Sequence, residues 1–134
     1  MKYGVLFALA SVLFQAPLHA ESESWVQVAG GAFVIGPGEL HRIQASLELQ
    51  VTQAAKAQGT TLPPWRKYLL QYRAKYIRGK RAIEIHGSCE HDSLADVRRA
   101  FVGDDISDGG NCYFTVFYLV DSDRYSNVIF HGYA

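Results

Sequence analysis

The densest run of reactive side chains is His86-Gly87-Ser88-Cys89-Glu90-His91-Asp92. Neutral imidazole, thiolate and carboxylate are all zinc ligands, and a site needs three or four of them converging on one point. If this run is an extended strand, His86 and Cys89 project to opposite faces, which works against convergence. An oxidised Cys89 could not ligate at all. No metal or cofactor is therefore expected. Ser88, His86, His91 and Asp92 also include the residue types of a hydrolytic triad, but nearness in sequence is not geometry. The chain has no Gly-x-Ser-x-Gly elbow, no phosphate-binding glycine loop and no His-Glu-x-x-His. No catalytic residue is assigned, and the protein is read as non-enzymatic.

A second cluster, Asp104, Asp105, Asp108 and Asn111, offers the oxygen ligands that calcium prefers. Counted as an EF-hand loop from Asp104, it meets Ile106 at the third position and Thr115 at the twelfth, so the pattern fails. Asp108-Gly109-Gly110-Asn111 is turn chemistry, because Gly and Asn tolerate positive φ.

The third candidate is a stretch with seven bases and no acid: Arg66, Lys67, Arg73, Lys75, Arg78, Lys80 and Arg81. Tyr68, Tyr72 and Tyr76 are interleaved with it. On a strand, Arg73 and Lys75 take one face and the tyrosines the other. Trp65, Tyr68, Tyr72, Arg73, Lys75 and Tyr76 form the candidate binding set. Cations beside aromatics can meet an anionic partner, such as another protein or an anionic envelope component. The same residues can also serve as a solvated edge that resists strand pairing, the blander role in a domain without excess charge.

These groups sit in a chain whose first twenty residues have the three parts of a secretory signal peptide. Lys2 is basic, residues 5–14 are uncharged and mostly apolar, and small Ala20 follows. The apolar run is too short to span a bilayer, so no stable membrane anchor is expected after cleavage. The expected organisation is a signal peptide, 1–20, and one globular domain, 21–134. The whole chain has 13 bases and 13 acids. Losing Lys2 leaves a net charge near −1, which gives no long-range pull toward nucleic acid. The expected address is the periplasm or the exterior. There, the lone pair Cys89 and Cys112 is expected to form a disulfide, contributing about 3 kcal/mol by the chain-entropy model.

Residues 25–35 are apolar and read as a strand bent at Gly30-Gly31. Leu40, Ile43, Leu47, Val51 and Ala54 recur every three or four residues, which predicts a helix of about twenty residues that Gly59 ends. Residues 65–77 fit both a helical and a strand period. The turn-like Arg78-Gly79-Lys80 and the clear strand at 82–89 favour a strand from Leu69, after a short helical turn. On the second of these strands, Ile83, Ile85, Gly87 and Cys89 share one face. Ala82, Glu84, His86 and Ser88 share the other. Residues 93–100 predict a short helix, 113–120 a central strand and 125–131 a last one. The expected class is α+β: a long N-terminal helix laid on a four- to five-stranded antiparallel meander. That architecture resembles the cystatin-like folds.

Several pieces from residue 65 onward resemble a group of short exported bacterial proteins of unknown function. They are Trp65-x-x-Tyr68, Gln71-Tyr72, Gly79-Lys80-Arg81, Gly87-x-Cys89, the block Asp108-Gly109-Gly110-Asn111-Cys112-Tyr113-Phe114, and the ending Gly132-Tyr133-Ala134. The resemblance implies export and a Cys89–Cys112 pair, and brings no activity. The functional expectation is a binding module, an inhibitor or immunity-type partner of an envelope protein. The alternative is a small-ligand carrier or weak enzyme with a pocket between helix and sheet.

Overall fold

The computed structural model describes residues 25–90, 94–103 and 110–131. The expected signal peptide lies outside the described residues, as do His91, Asp92, Asp104, Asp105, Asp108 and the last three residues. The chain begins with strand β1 (Trp25–Gln27), followed by helix α1 (Pro37–Ala57). A single 3-10 turn at Trp65–Lys67 leads into β2 (Leu69–Ile77), and β3 (Lys80–Ser88) completes a hairpin. Next come one helical turn, α2 (Leu94–Val97), and strand β4 (Tyr113–Leu119). Two short strands end the described chain, β5 (Arg124–Tyr125) and β6 (Ile129–Phe130).

Both ends of α1 follow from local chemistry. Pro37 fits the first helical position because its missing N–H has no partner there. Glu39 folds back so that its Oε2 accepts from the Gly36 N–H at 3.1 Å. At the other end, Gly59 takes φ 73°, and Thr60 N and Gly59 N donate to Ala55 O and Lys56 O. That closes the helix as a Schellman motif. The expected stripe is the buried one: Ile43, Leu47 and Val51 are fully shielded. Each contributes roughly 1.5–3 kcal/mol through burial against the sheet.

The two-period segment resolves as predicted, with a turn at 65–67 and a strand from Leu69. Arg78 and Gly79 both have positive φ, 51° and 77°, which is a two-residue hairpin turn matched to strand twist. The hairpin sets the register of β2 on β3, and β4 pairs antiparallel with the far side of β3.

The expectation of an antiparallel meander under an N-terminal helix needs two corrections. Among the described residues the sheet has six strands, and β1 pairs with β2 in parallel. The helix follows β1 instead of leading the fold, and its crossover returns the chain to lay β2 beside β1 in the same direction. The last strand is also two pieces. At Ser126 the side-chain Oγ accepts from Phe117 N at 2.9 Å, while Ser126 N donates to Phe117 O. That exchange interrupts the ladder between β5 and β6 on β4.

One face of the sheet meets α1. Tyr68, Leu70, Tyr72, Ile83, Ile85, Phe114, Val116 and Tyr118 pack there against the helix stripe. The expected disulfide joins Cys89 to Cys112 where β3 ends and β4 begins, with Cα atoms 5.0 Å apart. The adjacent ladder bond, Cys89 N to Cys112 O, is 2.9 Å. No helix among the described residues is long and apolar enough to cross a membrane.

Candidate functional site

The second face of the sheet carries the polar residues that strand alternation places opposite the isoleucines. Sequence alternation suggests solvent there, yet Glu84, His86 and Ser88 are all buried. Residues 94–103 lie across them as a strap. Gln71 on β2 fixes the strap with three bonds. Its Nε2 donates to Val97 O at 2.7 Å and Ala100 O at 2.8 Å, and its Oε1 accepts from Val102 N at 2.8 Å. Every lone pair or proton used is matched, so a fully buried amide costs little there. Val97 adds an apolar contact with Val26 and Leu69. Arg98 O accepts from Ala29 N, tying the strap to the segment after β1.

Under the strap the His86 ring stacks on Phe101, with centroids 3.8 Å apart and planes at 13°. The Arg73 guanidinium covers the Phe101 ring at 4.8 Å. Glu84 lies between the two bases, 3.3 Å from His86 Nε2 and 3.5 Å from Arg73 Nη2. The His86 hydrogen bond, helped by the charges of Lys75 and Arg73, holds the Glu84 carboxyl below its ordinary value against the opposing effect of burial. An ionised Glu84 can only accept, so His86 Nε2 carries the proton of that bond. Nearby, Thr115 Oγ1 on β4 and His131 Nε2, just after β6, are 2.7 Å apart. The His86 and His131 rings meet edge to face at 6.4 Å.

This cluster contains the residue types of acid–base chemistry. Ser88 Oγ, the nearest hydroxyl along the strand, is buried and bonds to no described residue. The imidazole and guanidinium meet the Phe101 ring of the strap, and the carboxylate bonds to both of them. No group of three or more His, Cys, Asp or Glu among the described residues could hold a metal ion.

The six residues of the candidate binding set fall in three places. Tyr68 and Tyr72 are in the core, not at the surface: strand parity turns Tyr72 toward α1, and Tyr68 enters the same cluster from the turn before β2. Tyr68 donates to Asn111 O and Tyr72 packs at 6.1 Å from Trp25. Trp65 is half-buried and stacks over Phe114 at 6.0 Å. Arg73 and Lys75 lie on the strapped face, with Lys75 over the Phe117 ring at 5.6 Å. Of the six, Lys75 and Tyr76 are exposed, and Tyr76, 52 % exposed, stands at the far end of the hairpin.

Around Tyr76 the chain gathers residues that the sequence reading did not group. Phe33 packs on Tyr76 at 5.5 Å, and the Arg81 guanidinium lies 5.8 Å from the Phe33 ring. Arg81 is steadied by Asp121 at 3.0 Å and Glu39 at 3.4 Å, joining the hairpin to the β4–β5 turn and the start of α1. Val34 beside them is 92 % exposed. Residues 27–34 and Arg98 line a broad, open groove that runs up to this tip. One sequence signal could have found part of the group: a two-residue turn at 78–79 makes Tyr76 and Arg81 cross-strand partners. Phe33 could not be placed from sequence, because it arrives through the parallel edge.

Comparison with protein families, curated proteins and solved structures returns no match.

Proposed function

We propose that this is an exported, non-enzymatic binding module, an inhibitor or immunity-type partner of an envelope protein, built on a cystatin-like arrangement of one helix across a sheet. One observation carries the reading: buried Gln71 and His86 engage the strap, whereas aromatic and cationic groups at the hairpin tip stand in solvent. Rigid aromatics with Arg beside them are the residue types that dominate protein contacts. The disulfide supports export, since such bonds persist in oxidising compartments. The carrier reading has less support, because Ile43, Leu47 and Val51 fill the space between helix and sheet where its pocket would lie.

The test is immobilised, disulfide-bonded protein exposed to envelope extract, with the same protein examined by native mass spectrometry. The expected result is a stoichiometric protein partner and no retained small molecule. A co-purifying small molecule with no protein partner would overturn the reading in favour of a carrier.

A further inference from the structure

Resting on that reading, we propose that the tip of the β2–β3 hairpin, with Phe33 and Val34 beside it, is the docking surface. Its occupant is an extended acidic segment of a partner protein with an apolar side chain among its carboxylates. The first observation is Arg78. It holds φ 51° at the opening position of a two-residue turn, where Gly, Asn or Asp is the unstrained choice. A side chain kept against local preference marks a place where its chemistry is wanted. Simple protection against sheet growth does not need this, because a Lys on an ordinary extended residue does the same job.

The second observation is charge. The chain as a whole is balanced, yet neither Arg78 nor Lys80 has an ion-pair partner among the described residues. Arg81 is already oriented by Asp121 and Glu39, with its guanidinium beside Phe33. The third is apolar surface in the same spot: Val34 and Tyr76 are large and exposed, and Phe33, next to Val34 in the chain, packs on Tyr76. A polysulfated or phosphorylated polymer would engage the cations and leave Val34 unused. Carboxylates flanking a Leu-like side chain would use both.

The probe is a fluorescently labelled peptide rich in Asp and Glu with a central Leu, followed by anisotropy at low and high salt. Dextran sulfate is the polymer control. Peptide binding is expected to weaken as salt rises. Arg78→Asn and Val34→Ser are each expected to weaken it by roughly tenfold. Asn suits the left-handed turn, so Arg78→Asn should melt no lower than the parent. Absence of peptide binding, or binding indifferent to both substitutions, overturns the proposal. Dextran sulfate binding as tightly, with no response to Val34→Ser, assigns the patch to polymers and overturns it too. If the double variant still captures the envelope partner as well as the parent does, this surface is wrong while the binding-module reading stands. If the parent captures nothing, both fall.

Discussion

At Gly87 there is no room for a side chain. A Cβ there would clash with Cε1 of the Phe114 ring, which is fully buried across the strand pair. Gly87→Ala must displace an aromatic from the main core and is expected to cost about 3 kcal/mol, read from the midpoint of urea unfolding. Glu84 makes a residue-scale prediction about acid. Its folded value lies below its unfolded one, so its contribution is present above the unfolded value and lost as pH falls through the folded value. Stability measured by urea titration should decline below roughly pH 4, and Glu84→Gln should flatten that decline. In alkali the sign reverses. Burial pushes Tyr68 and Tyr125 up to about 12, so their contribution is complete below the ordinary tyrosine value and fades as pH rises toward 12.

At the scale of elements, the strap depends on one amide. Gln71→Ala would remove all three of its bonds and leave two carbonyls and the Val102 N–H without those partners. The expected loss is about 3 kcal/mol. Amide exchange at Val102 should accelerate far more than exchange within the β2–β3 hairpin; equal acceleration in both would refute a strap-specific role. The same element explains what sequence could show. Helix α1 was legible because Ile43, Leu47 and Val51 repeat at the helical period, and the hairpin because residues 78–79 bring their own turn chemistry. The strap was not legible. It covers Glu84 and His86 with few apolar anchors of its own, chiefly Val97 and Phe101. Alternation on β3 therefore read as a solvent face, although a short polar-anchored segment closes it. The parallel pairing of β1 was equally hidden, since no local pattern on three residues names a distant partner.

For the whole molecule, the pairing of the two cysteines and the α+β class followed from the chain itself, whereas the surface did not. Strand parity divides neighbouring aromatic and basic residues between the core and the strapped face, and distance along the hairpin separates Tyr76 at the tip from Tyr72 in the core. Replacing Cys89 and Cys112 together by Ser removes the link between β3 and β4. It should lower global stability by about 3 kcal/mol, measured by chemical unfolding with and without reductant. A parent protein indifferent to reductant would contradict that expectation.

The position of the disulfide has one more outcome. The sulfurs bracket the strap and lie at the root of a continuous strand ladder. A protease that nicks the backbone between residues 90 and 111 would therefore leave two polypeptides travelling as a single species. They would separate only under denaturing, reducing electrophoresis, and the opposite end of the hairpin would keep its shape after the cut.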